Sequence, residues 1–108
     1  MSLKTSIILC TYNEANYIEN TIAKIEKIIE NLELIIVDDN STDGTKEIIN
    51  RINQEKKYKV IFRKKSKGLA SAFLRGVIET SGDRIGWLDT NMTESISRFQ
   101  EMSDLLSN

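Results

Sequence analysis

From Leu34 to Val37 the chain is apolar at every position, and the run stops at two adjacent carboxylates, Asp38 and Asp39. A strand with one wet face alternates polar and apolar residues, whereas a strand without alternation is buried on both faces, as in parallel sheets covered by helices. This narrows the chain to the α/β class. Such sheets bind ligands beyond the carboxyl ends of their strands, and Asp38-Asp39 stands at one of those ends. Neighbouring carboxylates repel, so placing them there points to a polar ligand. The following Asn40-Ser41-Thr42-Asp43-Gly44 also suits a turn that caps the next helix. Both readings hold together, with Asp43 and Gly44 structural and Asp39 a binding residue.

Apolar runs of strand length alternate with helical patterns along the whole chain. A first strand is expected over about Thr5 to Cys10, followed by a helix carrying Ile18, Ile22, Ile25, Ile28, Ile29 and Leu32 on one stripe. The second strand runs from Leu34 to Asp38. A second helix starts near Thr42 or Asp43 and buries Ile48, Ile49 and Ile52, and a third strand covers about Lys59 to Arg63. The third helix follows Gly68, with Leu69, Phe73, Leu74, Val77 and Ile78 on its inner face and Gly82 as a left-handed cap. A fourth strand spans Arg84 to Asp89. The last helix bears Ile96, Phe99, Met102, Leu105 and Leu106, and Ser97 with Gln100 has capping-box spacing at its start.

Right-handed helical crossovers between parallel strands favour the order 3-2-1-4, with helices on both faces in three layers. The chain reverses direction between strands one and four, and a cleft opens there. Thr11-Tyr12-Asn13-Glu14 reaches it from strand one, Asp38-Asp39 from strand two and Asp89-Thr90-Asn91 from strand four. A response-regulator receiver also gathers acidic residues at strand ends. There, however, the acidic pair follows the first strand and a lysine follows the fifth, which does not match this chain.

Composition removes several other classes. With 108 residues and 40% hydrophobic content the chain forms one domain, 1–108, with one packed core. Fifteen basic residues against sixteen acidic ones give no general affinity for nucleic acid or anionic membrane. Histidine is absent, which removes the commonest general base and the usual zinc ligand, and with them serine-protease and zinc-hydrolase chemistry. The single cysteine, Cys10, has no internal disulfide partner, and no signal peptide or membrane-length apolar stretch occurs. The expected setting is soluble and cytoplasmic.

Four motifs occur in order across nearly the whole chain. They are Thr11-Tyr12-Asn13-Glu14, Val37-Asp38-Asp39-Asn40-Ser41-Thr42-Asp43-Gly44-Thr45, Lys67-Gly68-Leu69-Ala70-Ser71-Ala72 and Leu88-Asp89-Thr90-Asn91. With them the chain resembles the nucleotide-binding half of family 2 glycosyltransferases of the GT-A fold, most closely the dolichyl-phosphate mannosyltransferase-like branch. The resemblance implies a nucleotide-diphospho-sugar donor carrying GDP or UDP, and a parent enzyme that inverts while passing a hexose to a polyprenyl phosphate or another acceptor. The competing reading is a non-catalytic nucleotide-binding or structural module.

The resemblance also assigns residues. Cys10, Tyr12 and Glu14 correspond to positions that line the nucleotide site, and so do Val37 and Asp39. An aromatic such as Tyr12 stacks on a base, Glu14 accepts from ribose hydroxyls, and Asp39 accepts from a base N–H. Tyr12 as a core aromatic with a wet tip is the plainer alternative. In the run Arg63-Lys64-Lys65-Ser66-Lys67, Lys67 lies nearest the helix start and is the candidate for phosphate oxygens, while Lys64 and Lys65 fit a solvated loop.

After strand four the family pattern is Asp-X-Asp, two carboxylates holding a divalent cation, Mg or Mn, on the donor's diphosphate. Here Asp89-Thr90-Asn91 departs from it. Asp89 and Asn91 remain the expected ligands, with weaker affinity because an amide oxygen carries no charge. Cys10 replaces the proline frequent at its position, a mild change where extended backbone matters most. Family members continue into acceptor-binding strands and a catalytic base, whereas this chain stops at Asn108 and Met1-Ser2-Leu3 looks like a cloning-vector start. A truncated piece that holds the donor without transferring the sugar is therefore expected. Its strand four would be an uncovered edge, with Trp87 adding apolar surface if it faces outward, and a homodimer through this strand or the last helix follows.

Overall fold

The computed structural model describes residues 3–64 and 68–89. Strands and helices alternate along them as β1 (Thr5–Thr11), α1 (Ile18–Ile28), β2 (Leu32–Asp38), α2 (Thr45–Lys56), β3 (Lys59–Phe62), α3 (Leu69–Val77) and β4 (Arg84–Asp89). The sheet order is β3-β2-β1-β4, and each pairing is parallel. This is the order expected from the crossover rule. The proposed last helix, with Ile96, Phe99, Met102, Leu105, Leu106 and its Ser97/Gln100 cap, lies outside the described residues.

The unalternated apolar run is buried on both sides. Ile7, Leu9, Leu34, Ile36 and Leu88 pack against α1 and Ile49 of α2. Ile8, Cys10, Ile35 and Val37 meet Ala72, Phe73 and Val77 of α3 together with Trp87. Each large side chain buried this way is worth roughly 1.5–3 kcal/mol, so the central strands β1 and β2 hold the fold and carry their ends at a defined level.

Element ends moved where side chains found other work. α1 stops at Ile28, and Asn31 turns the chain with φ 50°, so Leu32 leaves the helical stripe and opens β2 two residues earlier than the pattern indicated. α2 starts at Thr45 rather than Thr42 or Asp43, after Gly44 at φ 102°, because Thr42 and Asp43 are used by the loops described below. β3 ends at Phe62, although Arg63 N–H still donates to Asp38 O at 2.9 Å.

The inner face of α3 differs from the expectation. Leu74 and Ile78 are 63% and 75% exposed. Phe73 and Val77 do lie on the sheet as expected, but their companions there are Ala72 and Gly76, the latter so close that a Cβ would sit 2.5 Å from Ile8 Cγ2. Small residues at helical spacing let the helix approach, and a search for large apolar residues passes over them. Gly82 does not cap α3 either: the helix already ends at Val77, and Gly82 passes β1 so closely that a Cβ would lie 2.8 Å from Ser6 N.

At the amino ends of the strands, Glu33 of β2 gathers a polar cluster. Its Oε1 accepts from Ser6 Oγ at 2.7 Å and Ser81 N at 2.8 Å, and its Oε2 from Ser81 Oγ at 2.7 Å. Lys59 and Lys4 stand 3.2 and 3.5 Å from Oε2. Burial alone would raise the Glu33 carboxyl, but the hydrogen bonds from Ser6, Ser81 and Lys59 outweigh it and pull the pKa down to about 2.

Candidate functional site

The parallel register aligns the carboxyl ends of three strands. Thr11 pairs with Asp38, and Cys10 lies between Val37 on β2 and Asp89 on β4. The loops leaving β1 and β2 run into the amino ends of α1 and α2, and α3 follows the neighbouring β3; unpaired N–H groups and the helix dipole at such ends favour an anion. A diphosphate suits such a rim.

The β1–α1 and β2–α2 loops are joined into one shelf. Asn13, at φ 52°, donates its N–H to Ser41 Oγ at 2.8 Å, and its Oδ1 accepts from Thr42 N at 2.7 Å. Glu14 N donates to Thr45 Oγ1 at 2.9 Å, and Ala15 N to Asp43 Oδ2 at 3.2 Å. Asp43 Oδ1 in turn accepts from Thr45 N and Oγ1. The hydrogen bond from Thr45, helped by the Ala15 N–H, holds the Asp43 carboxyl below the usual range. Glu14 O accepts from Tyr17 N and Ile18 N and starts α1. Asn13, Thr42 and Asp43 are therefore scaffolding, as the composition of the turn implied for Asp43.

The two adjacent aspartates have parted ways. Asp38 is wholly buried and accepts from Thr11 Oγ1 at 2.7 Å, Ser41 N at 2.9 Å and Ser41 Oγ at 2.6 Å. Its charge is spread over hydrogen bonds inside the protein. Asp39 follows the parity of Ile35 and Val37 toward α3, where Arg63 Nε donates to its Oδ1 at 2.5 Å. Both side chains are nearly buried, at 10% exposure for Arg63 and 9% for Asp39. Arg63 Nη1 also donates to Ser71 Oγ at 2.7 Å, and Nη2 to Gly68 O at 3.1 Å. Beside this cluster a groove of about 630 Å³ opens between β3 and α3, lined in part by Phe62, Lys64, Leu74 and Ile78.

Of the residues singled out from the sequence, Tyr12, Glu14 and Asp39 come together on the rim. Tyr12 is 54% exposed, so it is a presented aromatic and not a core one. Glu14 is partly buried. Cys10 and Val37 are adjacent, and their side chains lie in the core beneath the rim. Asp89 ends β4 level with Cys10. Lys67, Thr90 and Asn91 lie outside the described residues. Arg63 is the residue that sequence reasoning passed over by treating it as part of a charge run. One signal could have found it: once Asp38 faces Phe62 in the parallel register, the next residue on each strand is Asp39 and Arg63, opposite charges side by side.

Comparison with known proteins bears on this site. The family model for glycosyl transferase family 2 matches residues 6–107. A dolichol-phosphate mannosyltransferase from Pyrococcus furiosus is 38% identical over 92 residues, covering 83% of this chain and 26% of that protein. A poly-beta-1,6-N-acetyl-D-glucosamine synthase from Staphylococcus aureus is 30% identical over 87 residues, 80% of this chain and 21% of its own length. Among solved structures, a mannosyltransferase from Pyrobaculum calidifontis in complex with GDP-Man and Mn2+ superimposes with a TM-score of 0.74 at 25% identity, covering 83% of this chain and 28% of that one. The chain thus spans about a quarter of the relatives it matches.

Proposed function

The chain belongs to glycosyl transferase family 2, and on that premise we propose that the carboxyl rim of its sheet binds the nucleotide of a nucleotide-diphospho-sugar donor. One observation carries the reading: the register and the joined loops set an exposed Tyr12 on the same rim as Glu14 and a nearly buried, ion-paired Asp39. In this arrangement Tyr12 stacks on the base, Asp39 accepts a base N–H and Glu14 takes the ribose hydroxyls. Cys10 and Val37 form the floor, while the diphosphate is assigned to the amino end of α3 and, by its sequence position, to Lys67. The parent protein, in this proposal, inverts the donor's anomeric centre and hands a hexose to a polyprenyl phosphate, which would bring it to the cytoplasmic face of a membrane. Among the described residues no helix is long and apolar enough to cross a membrane.

The donor is a GDP- or UDP-sugar in this reading. The Pyrobaculum neighbour is described with GDP-Man, and a Staphylococcus aureus TarS structure with UDP-GlcNAc. A titration of GDP and UDP into the chain tests it. Loss of stacking in Tyr12→Ala should weaken binding by about 1–3 kcal/mol, and because Tyr12 is exposed the fold should be unaffected. Equal affinity for wild type and Tyr12→Ala would remove Tyr12 from the site. Asp39→Ala is a poorer first variant, since it also strands Arg63.

A divalent cation, when bound, neutralises charge on the diphosphate leaving group as a Lewis acid. No cluster of three or more His, Cys, Asp or Glu suited to a metal occurs among the described residues. Asp89 and Asn91 supply one carboxylate and one amide, a donor set that fits Mg or Mn only when the donor's own oxygens complete the shell. Asn91→Asp should therefore raise nucleotide affinity in the presence of manganese and leave it unchanged without metal. An Asn91→Asp protein indifferent to manganese would show that the triplet holds no ion.

Homodimer formation through β4 is part of the same proposal. Among the described residues β4 pairs only with β1, and Ile85 is exposed on it. Trp87, which the sequence allowed to point outward, packs edge-on against Phe73 with ring centroids 6.0 Å apart, so it adds little to that surface. Sedimentation should show a dimer at high protein concentration, and a strict monomer would exclude pairing along this edge.

A further inference from the structure

We infer that Arg63 is the positioning residue that makes Asp39 a selective reader of the nucleotide base. The inference rests on the nucleotide-site reading above. Arg63 leaves the end of β3 and spends its guanidinium on three elements at once: Asp39 at the end of β2, Gly68 ahead of α3 and Ser71 within it. A planar fork with fixed donors holds its partner in one orientation, which a lysine ammonium cannot do. Gly68 contributes its backbone shape, at φ 91°, and its carbonyl accepts from both Arg63 and Ala72 N. The carboxylate is thereby held as an ionised acceptor on the side of the sheet where α3 begins.

A fixed anionic acceptor has a chemical preference. Uracil and guanine carry a ring N–H on the Watson–Crick edge that can donate to it, whereas adenine and cytosine present a bare ring nitrogen there, whose lone pair meets the carboxylate unfavourably. Discrimination by a buried polar group is large because the wrong ligand leaves it unpaired. A carboxylate free to rotate away would lose that discrimination. Arg63 therefore sets base selectivity through Asp39 without touching the base itself.

The test titrates GDP, UDP, ADP and CDP into the full chain as wild type, Arg63→Gln and Ser71→Ala, with circular dichroism and thermal melts confirming the fold of each. The wild type should favour GDP or UDP over ADP and CDP. Arg63→Gln should lose about tenfold or more of that ratio, and Ser71→Ala, which removes one guanidinium hydrogen bond, a smaller part of it. Ser71→Ala carries the test alone if Arg63→Gln does not fold. Affinities that fall equally for all four nucleotides, with the ratio kept, would overturn the assignment while leaving the nucleotide site in place. A wild type that binds none of the four would overturn the nucleotide-site reading itself.

Discussion

Asp38→Ala should be the most damaging single substitution within this rim, lowering stability by roughly 3–5 kcal/mol. The carboxylate is wholly buried and has three internal donors, the hydroxyl of Thr11 and the N–H and hydroxyl of Ser41. Removing it strands all three, and each buried group left without a partner costs about 1–3 kcal/mol. The damage spreads because Ser41 Oγ also receives Asn13 N–H, so the shelf between the first two loops loses its link. For a domain whose total stability is of order 5–15 kcal/mol, the expected fall in Tm is about 15–30 °C. Asp38→Asn should recover part of the loss, since its carbonyl can still accept but its amide finds no acceptor. Thermal melts that place Asp38→Ala within 1 kcal/mol of wild type would show that the hydrogen bonds contribute nothing net.

The second large effect is acid destabilisation through Glu33. Its carboxyl titrates at about 2 in the folded chain against 4.5 for the unperturbed group. A depressed carboxylate contributes stability that is complete above the unfolded value and disappears as pH falls through the folded one. The window is therefore from about pH 4.5 down to about pH 2. A displacement of this size corresponds to about 3 kcal/mol at full strength. Lys4 and Lys59 are close to half exposed, so screening reduces the expected contribution to about 2 kcal/mol. Glu33→Gln should be less stable than wild type at neutral pH by about that amount and should show a shallower decline in urea-unfolding free energy between pH 5 and pH 2. Identical slopes would mean that Glu33 is not a source of the acid sensitivity. Asp43, held down by Thr45, acts in the same direction, but it is exposed and adds little.

Tyr12 and Asp39, proposed to meet the base, are separate from the strand residues that maintain the fold, although they are neighbours in sequence. Asp38 and Glu33 are structural anchors at opposite ends of the same strand. Tyr12 and Asp39 stand one residue beyond the strand ends, which is why variants there can be read as binding effects when the fold is checked.

Local patterns in the sequence were enough to determine the parallel α/β class, the order of four strands and the level at which their carboxyl ends meet. Hydrophobic periodicity is a property of neighbours along the chain, and the crossover rule leaves few ways to arrange what it predicts. The same patterns put the polar clusters that hold Tyr12, Glu14 and Asp39 just past strand ends, and it was the resemblance to family 2 glycosyltransferases that singled out these residues as candidates for a nucleotide site. Only the tertiary structure divided the roles of Asp38 and Asp39, because side chains of adjacent residues leave a strand on opposite faces, and what each meets there depends on the register of the strands beside it. It also drew Arg63 out of a basic run into a nearly buried ion pair, and it put Ala72 and Gly76, rather than Leu74 and Ile78, against the sheet. Close approach of a helix is decided by the smallest side chains at the contact, and hydrophobicity along the chain carries no record of distance.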